Sequence, residues 1–168
     1  MTSILTVARA MALPYLVVYF SEAFGLDVTQ IGLLIGFSLI TSSVLGVYGG
    51  FLVDRFTNYH ILVAAGTVFS LAFAAAYGLN SLLPFVIAII VVNLSYSVVD
   101  IAVKSGIGAL VSQSKRGRVF SAKYTLTNIG YAIGPFLGAY FATVSTGLPF
   151  AVAAVIGAVS MLLYWTMG

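Results

Sequence analysis

The sequence predicts an all-α membrane protein of six transmembrane helices, from its composition and from the lengths of its apolar runs. Apolar residues make up 61% of the 168 residues, charged residues only 7%, and the mean hydropathy is +1.14. A soluble domain carries about 25% charged residues, so these side chains cannot cover a water-exposed surface and the apolar excess must face lipid. Dividing 168 residues by six leaves 28 for each span of about 20 residues and its connection.

Each span is an apolar run that ends at a short polar cluster, and the runs fill the chain as one helical domain. Ser21 and Glu22 mark the end of the first run, and the clusters that separate the runs are residues 25–27, 54–60, 80–81, 115–118 and 146–149. The predicted spans are therefore residues 3–24, 29–53, 61–79, 83–108, 124–145 and 150–166.

The basic residues predict the orientation of the bundle. If the N-terminus is cytoplasmic, the connections between spans two and three and between spans four and five are cytoplasmic too. These connections carry the five cations Arg55, Lys115, Arg116, Arg118 and Lys123. The opposite side carries two acids near the end of span one and no Lys or Arg. Because cytoplasmic loops are enriched in Lys and Arg, we expect an inner (plasma) membrane protein with both termini in the cytoplasm.

The scarcity of reactive side chains excludes most chemistry. The chain has no Cys, one His and four acids, which removes disulfides, thiolate metal sites and cysteine nucleophiles. We expect no catalytic residue, no metal and no cofactor. The net charge of +3 comes from only seven Lys and Arg beside apolar spans, so it indicates contact with anionic lipid rather than with nucleic acid.

A short motif lies at the cytoplasmic end of span two. Gly50 is followed after three residues by Asp54 and Arg55. In this position the motif resembles the loop 2-3 signature of the major facilitator superfamily, in which a glycine, three residues and Asp-Arg precede a second glycine and basic residues. Thr57 stands where the family has the second glycine. The resemblance implies a gating role for Gly50, Asp54 and Arg55, and the departure weakens it.

A second motif lies in span five. Gly130, Gly134 and Gly138 recur every four residues, with Pro135 and Ala139 beside them. This pattern is similar to the G-x-x-x-G-P-x-x-G-G signature of the drug:proton antiporter (efflux) branch of the same superfamily, with Ala139 in place of the last glycine. Small residues allow close helix contact, and Pro135 removes a backbone donor and bends the helix.

Together the two motifs resemble the N-terminal six-helix half of a major facilitator transporter, built from two inverted three-helix repeats. The resemblance implies transport of a small molecule by alternating access, with proton-coupled efflux. A lone half lacks the opposing wall of the cavity, so we expect a second six-helix half or a homodimer as partner. The face that meets this partner is expected to carry Arg9, Asp100, Lys104 and the three glycines of span five.

Charged residues within the spans are the other functional candidates. Arg9 in span one and Asp100 and Lys104 in span four would each cost ~2.5–3.5 kcal/mol at the centre of an isolated membrane helix, so each should face protein or water. On span four, one helix face carries a polar stripe that includes the two charged residues: Asn93, Tyr96, Ser97, Asp100 and Lys104. The family architecture implies that spans one and four line the cavity, so we expect Arg9 to contact Asp100.

Two interpretations of this charge group stay open: a structural ion pair with Lys104 extended to the interface, and a role in proton or substrate coupling. On span five, Asn128 and Tyr131 share a face and could contact substrate or bond to other helices. Two alternatives to a transporter also remain. One is a non-transporting, truncated six-helix protein or assembly partner, and the other is a membrane-embedded enzyme, for which the chain lacks a cluster of catalytic groups.

Overall fold

A computed structural model describes residues 1–167, and all regular structure within them is helical. This confirms the all-α prediction for that part of the chain. The six helices are α1 (Thr2–Phe24), α2 (Val28–Arg55), α3 (Asn58–Gly78), α4 (Leu82–Leu110), α5 (Gln113–Ala142) and α6 (Leu148–Met167).

Five of these helices, all except α5, are long and apolar enough to cross a membrane. The exception has a clear cause in the sequence. The first turns of α5 carry Lys115, Arg116, Arg118 and Lys123, and its later turns are rich in glycine and tyrosine. The composition of α5 is therefore that of a helix with protein or water on part of its surface, rather than lipid all round.

Local chemistry fixes the joint between α1 and α2. Gly25 ends α1 with a positive φ of 62°, a conformation that glycine adopts without strain. Asp27 then begins α2 with a capping box: its Oδ1 accepts the backbone N–H groups of Thr29 and Gln30, and the Gln30 side chain accepts the Asp27 N–H. Within α1, a 3-10 turn at Leu13–Tyr15 contains Pro14, whose missing N–H interrupts the α-helical hydrogen bonds.

Two boundaries differ from the sequence prediction. The polar turn predicted at residues 54–60 is only two residues long, because α2 continues to Arg55 and α3 begins at Asn58. The basic run that the sequence predicts in a connection lies instead in the first turns of α5, which begins at Gln113. A helix can continue through charged residues at its ends. The polar clusters therefore indicate where each apolar run ends, but not where each helix ends.

Helix packing leaves an opening on one side of the bundle. α1 packs against α5 and α6, α3 packs against α4 and α6, and α2 packs mainly against α4. Tyr19 of α1, Phe85 of α4 and Phe150 of α6 form an aromatic core, with the Tyr19 and Phe85 rings stacked 4.8 Å apart. α2 and α5 therefore flank the open side, and much of their surface is exposed.

The glycines of α5 are not on the exposed face, and the prediction that they meet a partner is wrong. Gly130, Gly134 and Gly138 are buried against α1. A Cβ at Gly134 would lie 2.6 Å from that of Ala10, and a Cβ at Gly138 would meet the Met11 carbonyl oxygen. The regular spacing correctly indicated close helix contact, but the contact is made within the chain.

Candidate functional site

A polar cluster around Arg9 joins α1, α4 and α5. The guanidinium Nε and Nη2 of Arg9 donate to the Asn93 side-chain oxygen at 3.1 and 2.8 Å, and Nη1 donates to the Tyr131 hydroxyl at 3.3 Å. The guanidinium carbon also lies 4.8 Å from the centre of the Tyr96 ring, which allows a cation–π contact. Four of the predicted site residues are thus brought together.

The partners of Arg9 are themselves held in place. Asn93 is buried and donates its side-chain N–H to the Ile89 carbonyl at 3.0 Å, which orients its oxygen toward Arg9. The Tyr96 hydroxyl shares a 2.8 Å hydrogen bond with Thr6 of α1. Thr6 was missed by sequence analysis, although it lies three residues before Arg9 and so on the same face of α1.

A cavity of about 370 Å³ opens beside this cluster. Its lining comes from α1, α2, α4 and α5 and is mainly apolar, with Arg9, Asn93, Tyr131 and Ser38 as polar members. Arg9 is the one charged side chain among its lining residues. This volume falls within the ~300–1,000 Å³ typical of small-molecule sites. Apolar walls with a few polar groups are also typical of such sites.

A second cluster lies about two turns further along α4. Asp100 Oδ2 pairs with Lys104 Nζ and Asp100 Oδ1 with Lys123 Nζ, each at 2.6 Å. The Lys123 side chain is only 8% exposed and also lies over the Tyr124 ring. The sequence pattern places Lys123 among the loop cations, so its pairing with Asp100 was not predicted. Its position directly before the apolar run was the available signal.

The predicted contact between Arg9 and Asp100 is wrong. Both carboxylate oxygens of Asp100 are paired with lysines, and Arg9 bonds to Asn93 instead. Asn93 and Asp100 are seven residues apart on α4, a rise of roughly 10 Å at 1.5 Å per residue. The two charge clusters are therefore separate along the helix, and Lys104 is in an ion pair as well as near the helix end.

The remaining predicted site residues of α4 and α5 differ in their surroundings. Ser97 lines a groove of about 450 Å³ between α2 and α4, together with Tyr96 and Asp100. Asn128 is exposed and is not among the hydrogen-bond partners of Arg9 or Asp100. The structure thus joins Ser97 to the charged stripe and leaves Asn128 outside both clusters.

The Gly50, Asp54 and Arg55 motif lies in the last two turns of α2. Asp54 and Arg55 are exposed, and neither forms a salt bridge in the part of the chain that the structure describes. The neighbouring Gly49, rather than Gly50, makes the close contact, since a Cβ at Gly49 would lie 2.8 Å from the Val98 side chain on α4. The charged pair is therefore free to meet groups outside these helices.

Comparison with known proteins gives a family match over nearly the whole chain. The model of the family described as Major Facilitator Superfamily matches residues 1–167. The chain is 32% identical over 159 residues to the uncharacterized MFS-type transporter YdeE of Escherichia coli (strain K12), covering 95% of this chain and 40% of YdeE.

Two further relatives have more specific names. A Na(+), Li(+), K(+)/H(+) antiporter of Planococcus maritimus is 31% identical over 136 residues, covering 77% of this chain and 31% of the antiporter. The quinolone resistance protein NorA of Staphylococcus aureus (strain Mu50 / ATCC 700699) is 23% identical over 156 residues, covering 91% of this chain and 39% of NorA. The chain spans about two-fifths or less of the length of these relatives.

Proposed function

The chain belongs to the major facilitator superfamily, and from this premise we propose that it forms the N-terminal six-helix half of a transporter that moves a small molecule by alternating access. Members of this family are multi-pass membrane transporters rather than enzymes. The observation that carries the proposal is the cavity beside Arg9, which combines apolar walls with polar groups from α1, α4 and α5.

The half-transporter assignment is supported by length and by surface. YdeE and NorA are each about two and a half times as long as the region that this chain matches. The cavity lies on the open side of the bundle, between the flanking helices α2 and α5. A second six-helix half, or a second copy of this chain, would close that side and keep Arg9 away from lipid.

Proton-coupled efflux is the form of transport that we propose. The names of two relatives support it, since one is an antiporter that exchanges monovalent cations for H⁺ and the other is a quinolone resistance protein. In this chain the group that we assign to coupling is Asp100 with Lys104 and Lys123, because a carboxylate that bridges two helices can change helix contacts when its partners change.

We place the protein in the plasma membrane with both termini in the cytoplasm. The positive-inside rule supports this orientation. The C-terminal end of α2 carries Arg55, and the start of α5 carries the Lys115–Arg118 run. The joint between α1 and α2 carries Glu22 and Asp27. All six helices then cross the membrane, with α5 shielded from lipid on one side by α1.

The test is transport by the native polypeptide or complex that contains these residues, reconstituted in liposomes with a pH-sensitive dye inside. A quinolone and Na⁺ are the first solutes to try, because they represent the two classes in the relatives' names. We expect solute-dependent proton movement under an imposed pH gradient. Liposomes that move neither protons nor any solute would support the alternative of a non-transporting six-helix protein.

A further inference from the structure

Arg9 is a cation whose partners within the described residues are all neutral. Its three hydrogen bonds go to the Asn93 amide oxygen and the Tyr131 hydroxyl, and its face lies on the Tyr96 ring. The two salt bridges in residues 1–167 both belong to Asp100. A nearby anion strongly stabilises a half-buried guanidinium in an apolar setting, and residues 1–167 supply none beside Arg9.

The guanidinium also has donors left over. Arginine carries five N–H donors, one on Nε and two on each terminal nitrogen. The observed bonds use one donor on each of the three nitrogens, so one N–H on Nη1 and one on Nη2 remain. Each of these two N–H groups can donate a charge-assisted hydrogen bond to a carboxylate oxygen.

We propose that the cavity beside Arg9 binds an amphipathic organic anion, with a carboxylate on Arg9 and an apolar ring system against the walls. This inference rests on the proposed transport function and names its substrate class. The cavity of about 370 Å³ has room for a small ring system. Its apolar walls come from all four surrounding helices and include Leu13, Phe20, Ile35, Leu39 and Ile89.

The charged residues in and near the cavity favour an anion over a cation. Arg9 is the one charged residue lining the cavity, and the nearest acid along α4, Asp100, is already paired with two lysines. The two clusters together contain three cations, Arg9, Lys104 and Lys123, and one carboxylate. A free cation would meet this positive potential without a carboxylate to bind it, so this cavity favours an anion.

The test is a binding measurement, which does not depend on turnover. Tritiated 1-naphthoate is titrated onto the purified chain in nanodiscs of uncharged phosphatidylcholine, with empty nanodiscs to subtract partition into lipid. Unlabelled 1-naphthamide and 1-naphthylmethylammonium compete as the neutral and cationic forms of the same ring. We expect the anion to bind at least tenfold more tightly than either competitor.

Arg9→Gln keeps hydrogen-bonding capacity and removes the charge, so it should weaken naphthoate binding at least tenfold and leave naphthamide binding unchanged. Arg9→Lys should recover part of the loss, because the charge returns without the planar fork. Arg118→Gln is the matched control: it removes an exposed cation at the start of α5 and should change nothing. Circular dichroism of each variant confirms that the helices are intact.

Equal affinity for the three ring compounds, or naphthoate binding that survives in Arg9→Gln, would overturn the proposal. Loss of the anion preference when a second six-helix half is bound would assign Arg9 to a carboxylate of that half, and would overturn it too. Nanodiscs containing phosphatidylglycerol separate a lipid source of the anion from a free one: competition by that lipid at low mole fraction would assign the site to a headgroup.

Failure of this inference and failure of the transport proposal are distinguishable. Transport without a preference for the anion would remove the substrate class alone, whereas anion binding without any transport would remove the transporter function alone.

Discussion

Single positions on α4 decide which charges meet. Asn93 and Asp100 both lie on the polar stripe, yet only Asn93 is level with Arg9, whereas Asp100 is level with Lys123 of α5. A stripe read from the sequence gives the face of a helix but not the height at which a neighbouring side chain arrives. The predicted charge group is therefore two separate groups: Arg9, whose partners are neutral, and Asp100, which is paired with lysines.

Asp100 provides a test that separates a structural ion pair from a coupling group. Asp100→Asn should abolish gradient-driven transport and lower the free energy of unfolding, because Lys123, 8% exposed, loses its carboxylate. The expected loss is toward the lower end of about 3–5 kcal/mol for a broken buried pair, since Asp100 keeps 22% side-chain exposure. Denaturant titration in detergent measures stability, and dye-loaded liposomes measure transport.

The double variant Asp100→Asn/Lys123→Met then decides between the two roles. Replacing Lys123 by methionine removes the unpaired ammonium, so stability should recover while transport stays absent. Lys115→Met, which removes an exposed cation from the same helix, is the control. If transport returned in the double variant, Asp100 would be a structural residue only.

At the scale of elements, α1 and α5 form one unit. The glycines of α5 let the α1 backbone approach closely, and the Tyr15 hydroxyl reaches the Pro135 carbonyl at 3.4 Å. Pro135 cannot donate a backbone hydrogen bond, and so α5 has a weak point beside α1. The cavity lies at this contact, because Pro14 and Pro135 both line it.

Gly138→Ala should destabilise the protein by ~1–3 kcal/mol, because the new methyl group would meet the Met11 carbonyl oxygen and the Tyr15 ring. Gly117→Ala is the matched control in the same helix, since a Cβ there has nothing within 4 Å and alanine favours the helix by up to ~1 kcal/mol. Thermal unfolding in detergent, followed by circular dichroism, measures both. Equal stability of the two variants would contradict the close contact between α1 and α5.

The end of α2 is a second element with a testable role. Asp54 and Arg55 are exposed and lie away from the cavity lining, so we expect them to act on conformational switching rather than on binding. Asp54→Asn in the transport-competent assembly should lower the turnover rate severalfold and leave the substrate affinity unchanged. Glu22→Gln, the same change at an exposed acid of α1, is the control. A large loss of affinity with normal turnover would contradict this assignment.

At the scale of the whole molecule, α2 and α5 carry large exposed apolar side chains on either side of the cavity. Ile40 of α2 is 67% exposed and Phe136 of α5 is 78% exposed. Exposure alone does not distinguish lipid from protein, since Val155 of α6 is also 61% exposed. What distinguishes the two faces is the cavity with Arg9, which would be open to lipid if α2 and α5 had no partner.

Cysteine crosslinking in membranes tests which face meets a partner, and the absence of native Cys makes the result simple to interpret. Cysteines at Ile40 and Phe136 should form crosslinks to a second six-helix half or to a second copy of the chain. Cysteines at Val68 and Val155, on α3 and α6, should not, although both positions are exposed. Crosslinks confined to the α3 and α6 positions would show that the interface lies on the other side of the bundle.

The sequence by itself determined the class of this protein. The apolar composition and the long runs required helices with their backbone hydrogen bonds satisfied internally, and two short motifs indicated the family that the comparisons then showed. The sequence also selected Arg9, Asn93, Tyr96 and Tyr131, because polar groups within apolar runs are costly unless they have partners. These inferences depend on local composition and spacing, which a linear sequence contains in full.

Only the tertiary structure decided which partner each of these groups has. Helix crossing heights and rotations bring Lys123 to Asp100, set Arg9 against neutral groups, and turn the α5 glycines toward α1 rather than outward. The start of α5 at Gln113 could not be predicted from polarity, because a charged turn outside the lipid can be helical just as an apolar turn can. Periodicity predicts which face of a helix a residue lies on. The contacts depend on how two helices are placed relative to each other, and side-chain packing along the whole helix interface sets that placement.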